Sequence, residues 1–150
     1  EEQYPNLKLI VAHIGRAYSI EDIADSFDIL RNTKNMYFDF TANLCDDAIK
    51  ACIEAVGTKR LMFGSDLPIS AMRMYRITKN GVYYNVVPKG LYGDVSDDPH
   101  MLETEETDVT LMIYEQIRAL KRCATDLKLS DSQIEDIMYN NAKRIIDGVL

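Results

Sequence analysis

The chain has few metal-ligating or disulfide-forming side chains: two histidines and three cysteines in 150 residues. Cys45, Cys52 and Cys123 are odd in number and include no CxxC pair. On one helix Cys45 and Cys52 lie two turns apart, roughly 10 Å and too far to bridge. A reduced, cytoplasmic setting is therefore expected. No apolar run reaches the length of a membrane span, and no charged-then-apolar leader opens the sequence. Positive charge is also short, with 17 Lys and Arg against 24 Asp and Glu and a net charge of −7. Without a basic stripe, sequence-independent nucleic-acid binding is excluded. What remains is ordinary globular material, 47% hydrophobic and 27% charged, long enough to bury a real core in one domain.

The opening Tyr4-Pro5-Asn6 reads as a loop feeding an apolar run at residues 7–13, as in a chain joined mid-fold. That run is typical of a strand covered on both faces. Ser19 with Asp22 forms a capping-box pattern, and Ile23, Phe27 and Leu30 follow at helical spacing. A second strand is expected at Met36–Thr41. Its helix carries Ile49, Cys52, Ile53 and Val56 on one stripe and stops at Gly57. A third strand spans residues 60–64. Strands recurring roughly every 26 residues in a β-loop-α rhythm require a parallel sheet with right-handed crossovers.

After Pro68 the rhythm breaks. Residues 71–93 hold Arg73, Arg76, Lys79 and Lys89 with no acid, whereas 94–108 hold seven acids and no Lys or Arg. Asn80-Gly81 between runs of β-formers signals a hairpin. The stretch 69–107 is expected to be an excursion from the third strand tip, overhanging the same face as Asp66 and acting as a lid or specificity loop. Two helices should finish the chain. One runs from about Thr107 to Leu127, with Ile113, Ile117, Leu120, Ala124 and Leu127 inward. The other starts at Ser130 with Gln133 as capping partner, and carries Ile134, Met138, Asn141 and Ile145 on one stripe.

The chemistry-bearing residues sit at two strand ends. Leu7–Ala12 leads into His13-Ile14-Gly15, and Arg60–Phe63 leads into Gly64-Ser65-Asp66-Leu67-Pro68. In parallel sheets and barrels the strand tips bind ligands and metals. Each residue also has a plain structural reading. Asp66 is either a turn cap or a functional carboxylate; His13 is either bonded to a backbone carbonyl or active. Asp39 reads as a paired, mid-strand carboxylate. Thr41 and Asn43 read as loop caps more than pocket lining. Arg16 reads either as a guanidinium for a substrate carboxylate or as a solvated loop arginine. The Arg73–Lys89 set, with Arg73 as its substrate-binding candidate, either attracts acidic substrates or balances the acidic stretch that follows. Met72 to Tyr75 serve equally as packing or pocket, and His100 reads as exposed and inert.

Ala12-His13-Ile14-Gly15, Tyr37-Phe38-Asp39, Phe63-Gly64-Ser65-Asp66-Leu67-Pro68 and Asn141-Ala142-Lys143-Arg144 occur in an order that resembles the amidohydrolase-related (amidohydrolase 2) proteins. These are metal-dependent TIM-barrel hydrolases and decarboxylases, including aminocarboxymuconate semialdehyde decarboxylase. The resemblance implies an α/β fold that is a partial TIM barrel. It would comprise the last three βα units with parallel strands, a β-hairpin insertion at about 69–107 and C-terminal helices. Residues 1–150 would form a single C-terminal fragment of the (β/α)8 barrel.

The resemblance also puts His13 at the sixth strand tip and Asp66 at the eighth, both catalytic and both metal ligands, with zinc as the metal in the complete barrel. It implies hydrolysis or decarboxylation of a small organic acid, amide or lactone. A further Gly often stands in the family where this chain has Arg16. The family's His-x-His on the first strand and its His on the fifth have no counterpart here. A mononuclear zinc site needs about three protein ligands. This chain alone is therefore expected to lack full activity, and to associate with itself or with a missing N-terminal half. The competing expectation is a non-catalytic α/β binding or oligomerisation module.

Overall fold

A computed structural model describes residues 2–149. Three short strands, β1 (Leu9–Val11), β2 (Met36–Asp39) and β3 (Leu61–Met62), form a parallel sheet in that order. Leu9 pairs with Met36 and Val11 with Phe38; Phe38 pairs with Leu61 and Asp39 with Met62. All three therefore present their C-terminal ends on one rim. Between them lie α1 (Ser26–Leu30) and α2 (Asp46–Val56). The capping pair at Ser19 and Asp22 is present, but it opens only a short 3₁₀ turn. Ala24 at φ 46° then interrupts the coil, so the expected helix shrinks to α1.

The excursion is a second sheet. β4 (Tyr75–Lys79) and β5 (Val82–Pro88) pair antiparallel across Asn80-Gly81, and β6 (Met101–Thr104) adds in parallel to β5. This third strand comes from the acidic stretch, whose Met101-Leu102-Glu103-Thr104 lacks apolar–polar alternation and so gives only a faint strand signal. α3 (Met112–Asp126), α4 (Asp131–Glu135) and α5 (Asn141–Asp147) complete the chain, with a π-helical turn at Asp136–Asn140 joining the last two.

The core lies between the parallel sheet and its helices. Phe38, Phe40 and Leu61 meet Ala48, Ile49, Cys52 and Ile53 of α2, Phe27 of α1, and Ala119, Leu120 and Cys123 of α3. Two expected stripes are rotated. On α3 the buried set is Met112, Gln116, Ala119, Leu120, Cys123 and Ala124, while Ile117 is exposed, because this face must reach both α2 and the rim. In the last helical stretch the wide π turn advances the register, so Ile137 points inward and Met138 outward.

The two sheet edges differ. On β1, Leu9 and Ile10 are 45% and 46% exposed, against the expectation of a strand covered on both faces. At β3 the helical stretch supplies the missing partner groups. Phe63 N–H donates to Ile137 C=O (2.8 Å), and the buried Asn141 amide donates to Thr58 and Leu61 carbonyls (2.7 Å each).

Candidate active site on the sheet rim

Each strand of the parallel sheet ends in left-handed backbone. After β1, His13, Ile14, Gly15 and Arg16 have φ of 57°, 51°, 66° and 66°; after β2, Ala42 has 50°; after β3, Asp66 has 54°. Such conformations cost non-glycine residues about 1–3 kcal/mol each and collect where surrounding contacts hold a site in shape. Here those contacts are visible. Asp39, the last residue of β2 rather than a mid-strand one, accepts from His13 N–H (2.9 Å) and Thr41 N–H (3.1 Å) through the same oxygen. Asn43, fully buried, caps Cys45 N–H and donates to Ala17 C=O.

His13 Nδ1 lies 2.9 Å from Thr41 C=O. A carbonyl only accepts, so Nδ1 carries the proton. Neutral His13 then presents Nε2 as a bare lone pair, the arrangement of a base or a metal ligand. Asp66 stands two strands away on the same rim. Its carboxylate has no hydrogen-bond or ion-pair partner among the described residues. Its loop is positioned by Gln116, buried on α3, whose amide donates to Gly64 C=O (2.8 Å) while its oxygen accepts from Ala42 N–H (3.3 Å). Gly64 is required at this crossing: a Cβ there would lie 2.2 Å from Thr41 Oγ1. The structure thus places His13 and Asp66 on a common rim with the β2 tip between them.

The excursion reaches this rim. Met74, Val87 and Met112 pack with Ala42, and Ser19 donates to Gly81 C=O (3.4 Å). Arg76 on β4 donates to Ala42 C=O (2.7 Å) and to the Asn85 side chain (2.9 Å). Its guanidinium lies 4.1 Å from the Tyr18 ring centre and 5.1 Å from that of Tyr83. Burial pushes the Tyr18 phenol above its usual range; Arg76 and Arg16 oppose this, and Tyr83 and Asp66 add to it. Arg16 is exposed, 5.8 Å from the Tyr18 ring. Arg73 is placed elsewhere, donating to Val109 C=O (3.0 Å) at the neck of the excursion. His100 is neither exposed nor isolated: it is half-buried, stacks on Tyr83 at 4.3 Å and holds Tyr83 C=O through Nδ1.

Gln116 and Tyr18 are rim residues not singled out from the sequence, and Arg76 stands there only as one of the excursion's basic set. For Arg76 a signal existed. A hairpin turning on Asn80-Gly81 pairs residue 76 with 85 and 78 with 83, placing Arg76, Asn85 and Tyr83 on one face. Gln116 offered none, because a single Gln on an amphipathic helix does not announce which face is buried.

Residues 2–147 match the amidohydrolase family model. The chain belongs to the amidohydrolase family. No curated protein matches it. Family members commonly bind divalent metals. Here His13 and Asp66 offer two donors, Asp39 commits one carboxylate oxygen to two backbone N–H groups, and no group of three or more His, Cys, Asp or Glu among the described residues is arranged to hold a metal. The described residues therefore do not make a complete zinc site on their own. An apolar groove lined by Leu120, Ala124, Leu129 and Ile134 lies on α3 and around α4, not on the rim. No helix among the described residues is long and apolar enough to cross a membrane.

Proposed function

We infer that this amidohydrolase chain supplies two catalytic groups, His13 and Asp66, to a hydrolase or decarboxylase site of the aminocarboxymuconate semialdehyde decarboxylase-like branch. The substrate is a small organic acid, amide or lactone. The observation that carries the reading is the tethered imidazole: its Nδ1 proton is spent on Thr41 C=O, so Nε2 faces outward on the rim that also bears the unpartnered Asp66 carboxylate. In hydrolysis, Asp66 accepts a proton from the attacking water. His13, protonated at Nε2 from solvent, donates a hydrogen bond to the substrate oxygen on which negative charge develops. The proton taken up by Asp66 goes to the leaving nitrogen or oxygen as its bond to the carbonyl carbon breaks. Arg16, exposed beside Tyr18, offers a contact for a substrate carboxylate.

Zinc completes such a site only with a further donor beyond the two that the described residues bring to the rim. The exposed Leu9 and Ile10 of β1, with Leu7 just before it, support an association with a second copy or with an N-terminal segment on that side. The test is zinc affinity measured by chelator competition. The protein is expected to bind zinc weakly, and His13→Ala or Asp66→Ala to abolish that binding. Zinc binding that survives both substitutions unchanged overturns the reading.

A further inference from the structure

We propose that Arg76 is a carboxylate anchor, brought by the excursion to the catalytic rim to hold the acid group of the substrate. This rests on the reading of His13 and Asp66 as the reacting pair and specifies the substrate that reading leaves open. Four observations carry it.

First, His13 and Arg76 hang from consecutive carbonyls, Thr41 and Ala42, so the imidazole and the guanidinium are fixed by adjacent residues of one strand tip. Second, Arg76 is half-buried in a chain rich in acids, yet no carboxylate lies within ion-pair distance of it. A desolvated cation is ordinarily paired. Third, its neutral partners hold it without neutralising it. The Tyr18 and Tyr83 rings flank it, and only Nε and Nη1 are engaged, by Asn85 and Ala42. Nη2 has no partner among the described residues, and a planar guanidinium with a vacant nitrogen suits an incoming carboxylate. Fourth, the support is itself built. Tyr83 stacks on His100, whose Nδ1 holds the Tyr83 carbonyl, so β5 and the start of β6 brace the ring beneath the guanidinium.

Arg76 would therefore orient a substrate whose carboxylate sits on the excursion side while its reacting carbon faces His13 and Asp66. The excursion thereby sets specificity for acids over neutral amides of the same shape.

The experiment titrates the ¹⁵N-labelled protein with benzoate, benzamide and inorganic phosphate, following the Arg76 Nε–H resonance and measuring affinity by calorimetry. Benzoate is expected to shift that resonance saturably, benzamide to leave it unmoved, and phosphate to act more weakly than benzoate. Arg76→Gln is expected to weaken benzoate binding by about tenfold or more, the loss of one charge-assisted hydrogen bond. Arg76→Lys should fall between, and Lys79→Gln on the exposed end of β4 should match the native protein. Should Arg76→Gln fail to fold, the resonance in the unaltered protein decides. An unmoved Arg76 resonance, a response to benzamide or phosphate equal to that of benzoate, or unchanged benzoate affinity in a folded Arg76→Gln protein overturns the proposal. Arg76-dependent benzoate binding alongside zinc binding indifferent to His13 and Asp66 would keep the anchor and remove the catalytic reading. Zinc binding lost in both variants with benzoate binding indifferent to Arg76 would do the reverse.

Discussion

Removing the Asp39 carboxylate should collapse the first strand tip. One oxygen of Asp39 accepts from His13 N–H at 2.9 Å and Thr41 N–H at 3.1 Å, joining the ends of β1 and β2. Hydrogen bonds to a charged group contribute about 1.5–3 kcal/mol each. Both hydrogen bonds are only partly buried, so the lower end applies, giving about 3 kcal/mol for Asp39→Ala. The substitution also releases the left-handed run from His13 to Arg16, whose strain these bonds hold in place. At about 2–4 °C per kcal/mol for a domain of this size, the melting temperature should fall by about 6–12 °C. Asp39→Asn keeps an acceptor oxygen of the same shape without the charge, and should cost about 1 kcal/mol. Urea unfolding followed by circular dichroism measures both. An Asp39→Ala protein as stable as the native one, or an Asn variant as damaged as the Ala variant, would refute the reasoning.

Gln116→Leu leaves Ala42 N–H and Gly64 C=O without their side-chain partner, and should cost about 2–4 kcal/mol in urea unfolding. Gln116→Glu should be worse, since it sets a buried carboxylate against Gly64 C=O. Burial pushes the Cys52 and Cys123 thiols from 9.0 up to about 12. The folded state then holds protons that the unfolded state releases, so stability is intact below pH 9 and falls as pH rises toward 12. The slope should be roughly 1.4 kcal/mol per pH unit for each thiol. Unfolding curves at pH 8 and pH 10.5 check this, with Cys52→Ala and Cys123→Ala each flattening the slope. Sedimentation velocity over a range of concentrations should show reversible self-association, weakened by Leu9→Lys and Ile10→Lys on the exposed β1.

The parallel strands, the α2 stripe, both capping boxes and the Asn80-Gly81 turn were legible because each rests on short-range periodicity or turn chemistry. Features set by tertiary contact were not. The apolar run of β1 looks the same whether its faces are covered or open. The inward face of α3 is chosen by where the rim and α2 lie, and the π turn that brings Ile137 inward has no local signature. At the rim, the motif residues His13 and Asp66 were visible. The bonds that define their chemistry, from Asp39, Thr41 and Gln116, depend on loops meeting across strands. Arg76 was passed over in favour of Arg73 because both read as basic residues of one excursion. Hairpin pairing separates them, placing Arg76 with Asn85 and Tyr83 and leaving Arg73 outside the ladder.

The most direct test is the protonation pattern of the His13 ring in the unaltered protein, read by long-range ¹H–¹⁵N correlation at neutral pH or above. The hydrogen bond to Thr41 requires the neutral ring to carry its proton on Nδ1, with Nε2 showing the shift of an unprotonated nitrogen. A neutral ring protonated at Nε2 would mean that its lone pair faces Thr41 and not the rim, contradicting the account.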